Sequence, residues 1–156
     1  MKKIILAALV LSSFSALAGT SATLNLKGNV AVIADIQVAA DAAAQSLGIT
    51  TGSTNLKVAT VTEQCNDKDG YDIMMSSLNG GKLVHTGDSS KSTTYQIVYG
   101  SAGTYTPTTN ANKVKTVTSL TGLTSTTSDI KVNVTSAPNA VAGDYTDTVT
   151  FSIVAK

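Results

Sequence analysis

The stretch Tyr145-Thr146-Asp147-Thr148-Val149-Thr150-Phe151-Ser152-Ile153 decides the fold. Tyr145, Val149, Phe151 and Ile153 fall on one parity, and Thr150 and Ser152 separate the last three. Successive side chains of a strand point to opposite faces, so a period of two marks a strand with one buried face. The same alternation runs through Tyr71, Ile73 and Met75, through Tyr95, Ile97 and Tyr99, and through Ile130, Val132 and Val134. Leu56–Glu63 and Lys82–His85 read as further strands, and Val114 and Val117 mark a weak one. The longest alternating line is Ala22, Leu24, Leu26, Gly28, Val30, Val32, Ala34, Ile36, Val38, read as one first strand interrupted at Gly28. Turn residues separate these runs: Asn66-Asp67-Lys68-Asp69-Gly70, Asn79-Gly80-Gly81, and Pro138 to Asp144. Gly100 to Asn112 reads as a loop, and Thr116 to Ser128 as a packed loop or edge strand. Ala39–Leu47 is Ala-rich, lacks β-branched residues and ends before Gly48, which predicts a short helix over 39–47. About seven strands at this spacing predict an all-β sandwich. There is no internal repeat and no interdomain linker.

Composition agrees. The chain of 156 residues has 24 Thr and 17 Ser, and its charged fraction is 13%. All 11 basic residues are Lys, opposed by 10 acids. Such a surface offers no basic field for a phosphate backbone, so nucleic-acid binding is not expected. One His and one Cys are too few for a His/Cys metal site, and neither a cofactor nor a metal is expected.

The N-terminus reads as an address. Lys2 and Lys3 precede a mostly apolar run of 14 residues, Ile4 to Leu17, and Ala16-Leu17-Ala18 has the small-x-small form of a cleavage site. The run is short of the ~20 residues of a spanning helix, so residues 1–18 read as a secretory signal and not as an anchor. Residues 19–156 then form a single sandwich domain with no membrane insertion. Its nine Lys and ten acids nearly cancel, and its lone Cys65 has no intramolecular partner.

Chemical motifs are sparse. Cys65 to Asp72 superficially resembles a calcium loop, but Cys65 and Ser76 stand where Asp and a bidentate Glu are needed, so a hairpin turn is the better reading. Cys65 at a strand end reads as a small buried residue. His85 has no nucleophile or carboxylate at a motif spacing, and no catalytic residue is assigned. Asn133-Val134-Thr135 fits a glycosylation sequon, but Val134 is in phase with the core. Tyr71, Tyr95, Tyr99 and Tyr145 also share core phase, so they read as packing residues and not as a sugar platform.

Three segments carry a family resemblance. Leu26-Lys27-Gly28-Asn29-Val30 resembles the start of the first strand in chaperone–usher pilins. Cys65 to Lys82 is similar to the second-to-third-strand hairpin of the archaic pilins and spore coat protein U-like proteins. Ala142-Gly143-Asp144-Tyr145-Thr146-Asp147-Thr148-Val149-Thr150-Phe151 resembles their C-terminal strand, and is the most specific of the three. The resemblance implies an immunoglobulin-like sandwich lacking its last strand. A periplasmic chaperone, and then the N-terminal extension of a neighbouring subunit, would supply that strand. It implies a donor within Gly19–Lys27 that inserts Ala22, Leu24 and Leu26, and an acceptor groove beside Tyr145, Val149, Phe151 and Ile153. Many such pilins pair two cysteines between the first two strands; here Ile36 stands near the expected first position. The expected function is a non-enzymatic structural subunit of a surface fimbrium involved in cell adhesion, passing through the periplasm to the cell surface. The alternative is a self-complete secreted module that binds carbohydrate or a surface partner.

Overall fold

The computed structural model describes residues Ser21–Lys156. The expected signal segment 1–18 and its cleavage point lie outside them. Ser21–Val30, taken by itself, carries neither strand nor helix, and its side chains are exposed. From Ala31 onward the regular structure is nearly all β, with one 3-10 turn.

Ten strands follow: β1 (Ala34–Ala40), β2 (Ser53–Cys65), β3 (Tyr71–Ser77), β4 (Lys82–His85), β5 (Asp88–Tyr99), β6 (Gly103–Tyr105), β7 (Asn112–Val117), β8 (Thr124–Val134), β9 (Tyr145–Thr146) and β10 (Val149–Ala155). One sheet has the order β1-β2-β8-β5-β4-β9, with β6 also on β5, and the other has the order β10-β3-β7. All ladders are antiparallel. The inner faces of β3, β5 and β8 are those the alternation assigned: Tyr71, Ile73 and Met75, then Tyr95, Ile97 and Tyr99, then Ile130, Val132 and Val134 are all buried, and β2 adds Val61. The fold is therefore the all-β sandwich that the period of two predicts.

Three sequence readings are corrected and one is narrowed. The first strand does not run from Ala22; it begins at Ala34, where β2 supplies a partner for each residue to Ala40. Alternation upstream of Ala34 is thus not evidence of a strand within this sheet. The helix over 39–47 is reduced to one 3-10 turn, Ala42–Gln45. Ala39 and Ala40 are held in the ladder opposite Thr60 and Ala59, and the side chain of Asp41 makes no capping hydrogen bond. Thr124 to Ser128 is not a loop but the first part of β8, paired with β2 on one side, while β5 pairs only with Ile130–Val134; of the two readings, the edge strand holds. The residue facing Cys65 across β1 and β2 is Ala34, not Ile36, which faces Glu63.

Turn chemistry is legible at Gly70. Its φ is +89°, and a Cβ there would strike the Val117 carbonyl, so glycine is required where β2 hands over to β3.

Glu63 is fully buried in the core, inward-facing in the same phase as Val61 and Cys65. Lys115, inward-facing from β7 in the other sheet, reaches its two oxygens at 2.7 and 3.0 Å. The Tyr71 and Tyr99 hydroxyls donate to Oε2 and Oε1, each at 2.7 Å, and the Ser128 hydroxyl donates to Oε1 at 3.2 Å. These groups join both sheets through one carboxylate. Burial alone would raise Glu63, but the hydrogen bonds from Lys115, Tyr99 and Tyr71 outweigh it and hold the carboxyl below its ordinary value. The Tyr71 phenol is pushed up to about 12, chiefly by burial. Among the described residues, no buried side-chain polar atom lacks a partner.

Two predictions follow from these contacts. A lowered folded pKa contributes stability that is present above the unfolded value, near 4.5, and lost as pH falls through the folded value. Glu63→Gln should therefore cost about 1–3 kcal/mol at neutral pH and flatten the loss of stability in acid, measured by urea unfolding at pH 7 and below pH ~4. An unchanged acid dependence in the variant would contradict the role assigned to Glu63. Cys65 is free and buried, and should label slowly in the native state. Ile33 O accepts the Asn66 N–H one position beyond Ala34 and Cys65. Ala34 and Cys65 thus occupy a pair without ladder hydrogen bonds, where Cα atoms lie ~4.5 Å apart, within disulfide range. Ala34→Cys should close a disulfide in air, read as loss of both free thiols; persistence of two reactive thiols would contradict the register.

Candidate functional site

β10 is paired on one side only, to β3, and β1 is likewise an edge of its sheet. No ladder joins β1 to β10 among the described residues. The consequence is visible in burial. On β3, Ile73 and Met75 are 0% and 1% exposed. Their register partners on β10, Ile153 and Phe151, share the same face and are only half-buried, as are Val149 and Ala155. Across the gap, β1 turns Ile36, Val38 and Ala40 to the same side as Glu63, Val61 and Ala59 of β2. Val38 is nevertheless 51% exposed. β1 and β10 touch, yet inward side chains one strand from a fully buried neighbour lose cover, so the edge is open where Val38, Ala40, Val149 and Phe151 stand.

The opening is a groove of about 650 Å³. Val38 and Ala40 of β1 and Val149 and Phe151 of β10 flank it, and Ile97 and Val132 of the long sheet are among the residues exposed to it. Tyr145 also lines it. Of the four acceptor residues expected from sequence, the structure brings Tyr145, Val149 and Phe151 to this groove; Ile153 lies on the same face of β10 but outside the lining. Glu63 is also outside it, so the buried ion pair and the groove occupy different stretches of β2.

Asp147 sets the phase of β10. It stands between β9 and β10, and Ser77 and Tyr95 donate their hydroxyls to its Oδ2. The backbone N–H groups of Asn79 and Thr148 donate to Oδ1 at 3.0 and 2.7 Å. Four donors on one carboxylate fix the corner, so that Val149 and Phe151 enter with their side chains inward. Burial, followed by the Asp147 carboxylate, pushes the Tyr95 phenol up. Phe151 then packs on Tyr99, with ring centroids 5.6 Å apart. At the other end Tyr145 meets the edge of His85 at 5.1 Å. His85 accepts the Gly87 N–H at Nδ1 and lies 3.1 Å from Ala142 O at Nε2, so it braces two loops. Sequence reading passed over both Asp147 and Glu63. Asp147 sits at an odd position in a run whose odd residues are apolar, which is the available signal of an inward acid; Glu63 is in phase with Ala59, Val61 and Cys65, but Leu56 and Val58 on the other parity mask it.

The expected donor residues belong to Ser21–Val30, which carries no strand. Ala22 is exposed, and Leu24 and Leu26 are 80% and 86% exposed. Val30 and Val32, on the same parity, are 83% and 60% exposed. No group of three or more potential metal ligands occurs among the described residues. No protein-family model matches the chain, and no curated protein is a significant match.

The unequal cover across β3 and β10 predicts an inverted mutational order. A fully buried Phe truncated to Ala costs ~3–5 kcal/mol and a Met ~2–5 kcal/mol. Because Phe151 already faces an open groove, Phe151→Ala should cost less than Met75→Ala in urea unfolding of the isolated protein. The reverse order would mean that β10 is covered in solution.

Proposed function

We propose that the protein is a structural subunit of a bacterial surface fibre, in which the groove of one copy takes the N-terminal segment of another as an added strand. The observation that carries this reading is a match of two features. The groove lacks cover along β10, and Ser21–Val32 offers an alternating apolar line with no strand of its own. The line is longer than the sequence reading allowed, because β1 starts only at Ala34. Ala22, Leu24, Leu26, Gly28 and Val30 are all on one parity, and Lys27 falls on the other. Nine residues from Ala22 to Val30 span about 30 Å when extended, enough to run the length of β10.

The chemistry suits addition of a strand. An edge strand presents unpaired N–H and C=O groups, and an incoming strand satisfies them with main-chain bonds while alternate side chains fill the groove. Each inserted Leu or Val contributes ~1.5–3 kcal/mol of burial before the entropy of ordering the segment is subtracted. In this reading a periplasmic chaperone covers the groove before assembly, the signal segment directs export, and the fibre serves adhesion at the cell surface. The protein has no catalytic role in it. The C-terminal A-G-x-Y-x-D resemblance to chaperone–usher pilins supports the same conclusion, since its Asp147 is the residue that holds the groove's edge in place.

The test is to append a second copy of Ser21–Ile33 behind Lys156 through a flexible linker. The melting temperature should rise by several degrees. Placing Asp at both positions of that copy equivalent to Leu24 and Leu26 should abolish the gain, because an unpaired carboxylate is strongly disfavoured in an apolar groove. Equal melting temperatures for all three proteins would overturn the reading.

A further inference from the structure

The ladder between β1 and β2 ends at Ala34 and Cys65. The chain just before Ala34 is nevertheless held, by one residue. Asn66 donates its backbone N–H to Ile33 O at 3.2 Å. Its side-chain Oδ1 accepts the Ile33 N–H at 2.7 Å, and its Nδ2 donates to Ala31 O at 2.9 Å. A carboxamide can do this because it carries an acceptor and donors on one planar group. Ala31–Ile33 therefore continues the line of β1 past the last residue of β2 instead of turning.

That restraint has a consequence for any segment meant for another molecule. A strand tethered to a subunit sees that subunit's groove at millimolar effective concentration, and intramolecular insertion would outcompete assembly unless geometry forbids it. β1 flanks the groove, so a segment entering its own groove must reverse direction just before Ala34. The tightest reversals take two to about five residues. Ala31–Ile33 are the residues that would turn, and both bonds to the Asn66 carboxamide would break.

We propose that Asn66 is a positioning residue that prevents the N-terminal segment from inserting into its own subunit and so commits it to a second copy of the chain. The inference rests on the donor reading above. Asn66 is not part of the groove; it acts through the backbone of Ala31 and Ile33.

The experiment uses the mature chain as wild type, as Asn66→Ala and as Ile33→Pro, each also with Ser21–Val30 deleted. Ile33→Pro removes the N–H that Asn66 accepts while leaving Asn66 and its turn intact, so it tests the clamp if Asn66→Ala folds poorly. Trypsin cleavage after Lys27 reports whether the segment is free. In dilute monomer, both variants should be cleaved about tenfold more slowly than wild type, the factor expected from losing one to two ordinary hydrogen bonds that oppose insertion. The protection should not depend on protein concentration, the monomer should melt higher than wild type, and polymer yield should fall. Deleting Ser21–Val30 should cancel the gain in melting temperature, which a purely structural effect of Asn66 would not do. Cleavage at the wild-type rate, with polymer yield unchanged, would overturn the clamp and leave the donor reading standing. A wild type that stays monomeric on concentration, and whose melting temperature ignores an appended donor copy, would overturn the donor reading and the clamp with it.

Discussion

A β-sandwich is stable when both inner faces are covered along their length, and here the cover stops one strand short. β3 is buried on its inner face because β7 and β10 flank it, whereas β10 has β3 alone. Everything distinctive about the molecule follows from that asymmetry. Phe151 and Val149 are inward yet only partly buried, Val38 is 51% exposed, and a groove of about 650 Å³ reaches Ile97 and Val132 on the opposite sheet. An unpaired edge backed by apolar side chains is a template on which another strand can pair.

Two carboxylates keep such an open structure in register. Glu63 binds the sheets together away from the groove through Lys115, Tyr71 and Tyr99. Asp147 pins the entry of β10 through Ser77, Tyr95 and the backbone of Asn79. Each is a buried or partly buried acid with its donors supplied, the condition under which such a group rigidifies a core instead of weakening it. With no disulfide, the β3 ladder, the Asp147 corner and the Tyr99–Phe151 packing hold β10 against the rest.

The fold was legible because burial imposes parity: Tyr71-x-Ile73-x-Met75 and Ile130-x-Val132-x-Val134 can be read without coordinates. The same parity misled at Ala22–Val32, where the alternation is present but the chain pairs with no strand and its side chains are exposed. The Ala-rich 39–47 segment misled for a different reason, since pairing of Ala39 and Ala40 with β2 overrode helix propensity. At the candidate site, Tyr145, Val149 and Phe151 were visible as apolar residues of the last strand. Their incomplete cover was expected only through the family resemblance, because it depends on which strands neighbour β10, and topology is not written in local pattern. Asn66 read only as a turn residue; its reach to Ala31 and Ile33 is a contact across more than thirty positions.

The most direct test of the central claim is amide hydrogen exchange along β10. In an antiparallel edge strand alternate amides bond the neighbour, and the others face the open side. A synthetic peptide of Ser21–Ile33, added to protein lacking Ser21–Val30, should slow exchange at the open-side amides of β10 and leave β7, the opposite edge of that sheet, unchanged. Saturating peptide without protection on β10, or protection equally on β7, would contradict the account.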